Sequence, residues 1–181
     1  MKAINFVAAS LVVILLVSCS PTSSDEYTKH YEEGLKYYET GEFDKAILSL
    51  STAIDLEPEN TAAYLLRGKS YRSIYEYEKA FQDTDKVLEL DPNHYDAHVL
   101  RGLLLFDSKR YEDAIREYTT ALELSKESKE ALYLRAFAYS DSGEYELAID
   151  DFQQYLIFVP NTPNRARIEG MIESLKTKSV E

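Results

Sequence analysis

From residue 25 to residue 160 apolar side chains recur at intervals of three and four, in paired blocks separated by short polar breaks. That spacing places each block's apolar residues on one face of a helix rather than on alternate sides of a strand. The first pair of blocks covers 27–40 and 43–56, the second 61–74 and 77–90, the third 95–108 and 111–124, the fourth 129–141 and 145–158. Each pair begins 34 residues after the one before, so the chain is read as four helical hairpins. Thr40-Gly41, Asp107-Ser108 and Asp141-Ser142-Gly143 mark the breaks within hairpins. The stretches around Pro58 and Pro92 mark those between them.

Some slots of the 34-residue unit hold the same kind of residue each time. Gly34, Gly68, Gly102 and Ala136 fall inside a first helix, where glycine costs about 1 kcal/mol relative to alanine. Close approach of the second helix would offset that cost, and Ala46, Ala80, Ala114 and Ala148 are the small residues expected to face them. Tyr37, Tyr71 and Tyr139 fill the wedge, with Leu105 in the third unit. Pro58, Pro92 and Pro160 are placed to stop each second helix, with Lys126 at that slot in the third unit.

These slots resemble those of the tetratricopeptide repeat (TPR) family, from Tyr27 to Pro160. The resemblance implies an all-α, right-handed α-solenoid of four TPR hairpins (27–60, 61–94, 95–128 and 129–160) closed by a capping helix within 161–181. Pro163 is expected to start that helix, and Ile168, Met171, Ile172 and Leu175 form its apolar stripe. Departures from the family pattern are Lys126, Ala136, Leu105 and Thr84, the last in a slot usually large and apolar; His30, Tyr64, His98 and Leu132 occupy the family's tryptophan slot. Lys126 suggests a softer junction after the third unit.

The N-terminus has a different pattern. Lys2 precedes an apolar run at 6–17, whose 12 residues suit a signal-peptide core and are too short to span a bilayer as a helix. The run closes in Leu16-Val17-Ser18-Cys19, which resembles the lipobox of bacterial lipoproteins. The resemblance implies removal of 1–18 and a diacylglyceryl thioether with an N-acyl chain (palmitate-like lipid) on Cys19, the only cysteine of the chain. It also implies localisation to the cell envelope, and Ser20 favours the outer membrane facing the periplasm. Residues 19–26 are read as the lipidated cysteine and a flexible tether, of which Ser20–Ser24, fully extended, reaches roughly 15–25 Å.

Charge changes the choice of partner. The formal net charge is −12, and −13 without 1–18, because Lys2 leaves 19 basic against 32 acidic residues. Such a chain repels phosphate backbones, which argues against nucleic acid. Fragments that look catalytic have simpler readings. Gly68-Lys69-Ser70 resembles the tail of a phosphate loop but lies inside a helix. His94 and His98 have metal-pair spacing but sit at cap and core slots. Asp83, Asp85, Asp150 and Asp151 read as solvated charge. No catalytic set, metal site or cofactor is expected, so the chain is read as a non-enzyme.

What remains is a surface. In TPR proteins the first helices line a concave groove; by slot it would present Tyr31, Leu35, Tyr38, Leu65, Lys69, Arg72, Val99, Leu103, Phe106, Tyr133 and Phe137, with Asp96, Asp107, Glu130 and Asp141 among them. The positions matching the family's carboxylate clamp are Tyr31, Leu35, Leu66, Asp96 and Leu100, so that clamp is absent. The expected function is a membrane-anchored adaptor that holds a protein partner of an envelope complex. The alternative is a self-associating scaffold, or an assembly factor for a secretin or outer-membrane machine.

Overall fold

A computed structural model of the chain describes residues 23–180, all of whose regular structure is helical. The helices are α1 (Ser23–Glu39), α2 (Phe43–Leu56), α3 (Thr61–Ser73), α4 (Tyr77–Leu90), α5 (Tyr95–Asp107), α6 (Tyr111–Leu124), α7 (Lys129–Ser142), α8 (Tyr145–Phe158) and α9 (Arg165–Lys178). Helices α1, α3, α5 and α7 each pair with the next to form a hairpin, each hairpin packs on its neighbours in sequence, and α9 packs on α8. Successive odd-numbered helices also touch, α1 with α3, α3 with α5 and α5 with α7, while the even-numbered helices spread along the other side. The odd helices are therefore the inner row of a curved stack.

The recurring small residues do what their slots demand. Ala46, Ala80, Ala114 and Ala148 are all fully buried. At Gly34 and Gly102, however, it is a large side chain rather than a second backbone that comes close. A Cβ on Gly34 would lie 2.6 Å from Leu50 Cγ, and one on Gly102 would overlap the Tyr118 ring. In the second hairpin that large slot holds Thr84, whose hydroxyl donates to Ala80 O at 2.7 Å, and Leu100 Cδ2 fills the space over Gly68 instead.

Helix ends explain the period. Asn60, His94 and Ser128 cap the N-termini of α3, α5 and α7, accepting from the backbone N–H of Ala62, Ala97 and Ala131. The within-hairpin turns place Gly41, Tyr75, Lys109 and Gly143 at positive φ (77°, 64°, 60° and 90°). Each is followed by the same backbone bond, from Glu42, Glu76, Arg110 and Glu144 N–H to Tyr37, Tyr71, Leu105 and Tyr139 O. Tyr75 and Lys109 therefore hold a left-handed conformation that costs a residue with a Cβ about 1–2 kcal/mol. Helix α6 stops at Leu124 without a following proline, and in the junction beyond it Ser128 both caps α7 and hydrogen-bonds the Tyr95 hydroxyl.

Three expectations are corrected. Residues 23–26 are not tether but the first turn of α1, where Asp25 and Glu26 complement the helix dipole. The capping helix starts at Arg165 rather than at Pro163, and buries Ile168, Ile172 and Leu175 against α8. Asp83 and Asp151 are not solvated charge; they are 4% and 3% exposed. Asp83 takes Arg67 Nε and Nη2 at 2.8 and 2.7 Å while Arg67 Nη1 donates to Ser51 Oγ at 2.9 Å. Two repeats on, Asp151 takes Arg135 Nε and Nη2 at 2.7 and 2.9 Å, and Arg135 Nη1 donates to Thr119 Oγ1 at 3.1 Å. An inner-row arginine thus joins its own hairpin partner to the second helix of the preceding hairpin. The physical reason is that residues 16 apart come face to face once the hairpin closes. Desolvation raises the Asp83 carboxyl, against the pull of Arg67.

Removing one partner of such a pair strands a buried charge. Asp151→Ala should lower unfolding free energy in urea by about 3–5 kcal/mol, whereas Lys176→Ala, which breaks an exposed pair with Glu173, should change it by under about 1 kcal/mol. Alkaline pH should also unfold the chain. Burial pushes the Tyr27 phenol from 10.0 to about 12, and Tyr95, Tyr118 and Tyr139 are raised chiefly by burial too. The unfolded phenols ionise first while the folded ones keep their protons. Stability is therefore full below pH 10 and falls as pH rises toward about 12. Urea midpoints followed across that range should drop, and Tyr27→Phe should shallow the slope.

Candidate functional site

The inner row forms a groove, and its middle holds two adjoining cavities that share Arg72 and Leu103. The first, about 240 Å³, draws one or more residues from each inner helix: Tyr38 of α1, Lys69 and Arg72 of α3, Asp96, Val99, Leu100 and Leu103 of α5, and Glu130 of α7. Two basic and two acidic side chains line it beside Tyr38, Val99, Leu100 and Leu103, and its accessible wall is more polar than apolar. The second, about 200 Å³, lies between α5 and α7 and is walled by Leu103, Phe106, Leu134 and Phe137, with Arg72, Asp107 and Tyr118 completing it. Arg72 Nε donates to Asp107 Oδ2 at 2.7 Å, which ties α3 to α5 across the groove.

Seven of the residues expected in the groove come together here: Tyr38, Lys69, Arg72, Val99, Leu103, Phe106 and Phe137. The others are placed differently. Tyr31 stacks on Tyr27 with ring centroids 5.9 Å apart, and Leu35 packs on the same first-hairpin core. Leu65, at 9% exposure, is a core residue among Ala80, Val87 and Leu100, because its slot faces the neighbouring hairpin. Val99 is also nearly buried, at 5%, and offers the cavity only an edge. Tyr133 lies 4.8 Å from Phe137 and 5.0 Å from Tyr155, so it closes the C-terminal core. Cys19 and the rest of 1–22 lie outside the described residues, as does Glu181.

Two lining residues escaped the sequence reading. Leu134 belongs to the inner helix α7 one position after Tyr133. Tyr118 comes from the outer helix α6, and reaches the groove side only because Gly102 leaves room for its ring. Its ring is fully buried, and its Oη has no hydrogen-bond partner. Burial pushes the phenol well above its ordinary range, with Arg72 working in the opposite direction. The signal available in sequence was the slot itself: Leu50, Thr84, Tyr118 and Phe152 are equivalent positions, and Tyr118 alone brings a long polar tip.

The motifs with catalytic appearance have structural roles. Ser70 Oγ donates to Leu66 O at 2.8 Å inside α3, so Gly68-Lys69-Ser70 is ordinary helix. His94 caps α5. The His98 ring lies 2.8 Å from Glu117 Oε2 through Nδ1 and 3.0 Å from Pro92 O through Nε2. Among the described residues no group of His, Cys, Asp and Glu is arranged to hold a metal ion. None of the described helices is long and apolar enough to cross a membrane.

Known proteins share this architecture. MamA (residues 41 to the end) from Desulfovibrio magneticus RS-1 superposes with a TM-score of 0.73 at 20% identity, over 87% of this chain and 92% of that one. PilF of Pseudomonas aeruginosa gives 0.76 at 19% identity, over 87% and 70%. The first TPR domain of Spaghetti (RPAP3), solved with the HSP90 peptide SRMEEVD, gives 0.62 at 25% identity, over 65% and 93%. No curated protein matches the chain in sequence. Family profiles described as TPR repeat match residues 34–74, and those described as tetratricopeptide repeat match 61–94, 84–118 and 99–166. With its hairpins, small-residue slots and inner groove matched in this way, the chain belongs to the tetratricopeptide-repeat family of protein-interaction scaffolds.

Proposed function

We propose that the chain is a lipid-anchored adaptor of the bacterial cell envelope, which holds a segment of a partner protein in the groove of its inner helices. The observation that carries this is the convergence of Tyr38, Lys69, Arg72, Leu103 and Glu130 on one cavity, from all four hairpins. Apolar side chains set among charges of both signs are the make-up of a protein-binding surface, in which buried apolar contacts give affinity and rim charges set register. The anchor rests on the lipobox-like close at Cys19 and the short apolar run before it. The tetratricopeptide domain solved with an HSP90 peptide supports peptide capture as a use of this fold. The absent carboxylate clamp argues for a partner other than a chaperone tail.

The test is crosslinking in cells and affinity capture of the full-length chain from detergent-solubilised envelopes. Lys69→Glu with Leu103→Glu is the groove variant of choice, since Phe137 also supports Phe152, its ring centroid 5.2 Å away. One or two proteins held by the parent chain and lost from this variant, at unchanged helicity, are the expected result. Equal capture by both would sink the groove reading, and capture of further copies alone would identify a self-associating scaffold. Cys19→Ala should release the protein from the membrane fraction without unfolding it.

A further inference from the structure

Unmet carboxylates stand at both ends of the apolar second cavity. On α7 the spacing 130, 134, 137, 141 puts Glu130, Leu134, Phe137 and Asp141 on one face. Leu134 and Phe137 wall the second cavity, while Glu130 lines the first, which adjoins it, together with Asp96 of α5. Asp96, Glu130 and Asp141 are all exposed, and none has a cationic partner among the described residues. Of the two cations that line the first cavity, Arg72 is taken by Asp107, so Lys69 alone stands against them. Asp96 and Glu130 have an ordinary reason for their places, since each complements the N-terminus of its own helix. Asp141 has none: it sits in the last turn of α7, where the helix dipole opposes a carboxylate. One repeat earlier the same slot holds Asp107, whose charge Arg72 meets. In the next repeat Phe106 takes the place of that arginine, and Asp141 is left unmet.

Resting on the adaptor reading above, we propose that the groove takes a partner segment with an apolar centre and a basic residue at each end. The centre enters the second cavity, where Leu103, Phe106, Leu134 and Phe137 enclose about 200 Å³, room for one large side chain. One basic end meets Asp96 and Glu130, and the other meets Asp141. Charge complementarity selects the sign: acidic ends would face three unmet carboxylates with Lys69 alone in their favour, on a chain of net charge −12. Glu130 and Asp141 are 11 residues apart on one helix, about 16 Å along its axis. About 11 residues of a partner helix span that distance, or about five of extended chain. Basic ends also speed encounter with an acidic surface and make the complex sensitive to salt.

The experiment titrates the full-length chain in detergent, labelled at leucine methyl groups, with acetylated and amidated peptides. All share a leucine–phenylalanine centre and differ only in their two end residues, which are lysine, glutamine or glutamate; each is made at both the helical and the extended spacing. At one spacing the lysine peptide should shift the Leu103 and Leu134 methyl resonances saturably. It should bind about 10-fold more tightly than the glutamate peptide and lose affinity as salt rises. Glu130→Gln with Asp141→Asn should weaken the lysine peptide about 3- to 10-fold and leave the glutamine peptide unchanged. Because Asp141 opposes its helix dipole, Asp141→Asn alone should keep a thermal midpoint no lower than the parent chain's. Equal binding of the three peptides, preference for glutamate ends, or no shift at Leu103 and Leu134 overturns the proposal, as does a lowered midpoint in Asp141→Asn. If those results come with intact partner capture, the adaptor reading stands and only the basic-ended segment is lost.

Discussion

Everything in this molecule depends on how closely the two helices of a hairpin can approach. The inner helix offers a residue with little or no side chain, and the outer helix offers a large one to lie over it. Leu50 covers Gly34 and Tyr118 covers Gly102, in each case where even one more carbon atom would collide. Where the outer residue is small, as Thr84 is, Leu100 from the next hairpin takes its place over Gly68. The pairing of small with large sets the depth of each hairpin, and a solenoid is built from nothing but such units and their junctions. In the third unit the same pairing carries a polar atom, the Tyr118 hydroxyl, into the core.

Between hairpins a second device takes over. Arg67 and Arg135 each bind an aspartate on their own hairpin's outer helix and a hydroxyl on the preceding one. A guanidinium can do this because its donors diverge in a fixed plane, which a lysine's single ammonium could not match. Buried ion pairs are weak evidence for stability, since replacing both members by apolar residues is often neutral. Their better-supported use is to fix register. That suits a stack whose neighbouring hairpins would otherwise meet through interchangeable aliphatic faces.

The repeats were legible because they rest on local rules: period, caps, turns and the interruption by glycine all lie within one hairpin. Helix limits differed by a few residues, and 23–26 became helix because an acidic first turn outweighed its loop-like composition. The relay was hidden because Arg67 and Asp83 are 16 residues apart and meet only after the hairpin closes; in sequence each aspartate looks like any charge on an outer helix. The groove was legible by helix and only in part by residue. Leu65 and Tyr133 occupy inner-row positions yet are drawn into the core, Leu65 with the help of the next hairpin and Tyr133 by rings of its own, whereas Tyr118 enters from the outer row. Which way a residue at the edge of a face turns is decided by its neighbours' sizes, and a repeat pattern does not state those.

The third unit departs from its neighbours in the second device. Its arginine, Arg101, stands 3.7 Å from Glu117 and 3.6 Å from Asp85, against 2.7 Å for the best contacts of Arg67 and Arg135. Glu117 is engaged instead by His98, one turn earlier on α5. The inner helix that supplies Leu103 and Phe106 to the groove is therefore held by an imidazole and by Arg72 from the preceding hairpin, rather than by a bidentate arginine of its own. A helix tied through Arg72 and Asp107 is tied from the groove side, by two residues that themselves border the second cavity. The contact that joins the second hairpin to the third on this side is thus made by two residues that also line a cavity.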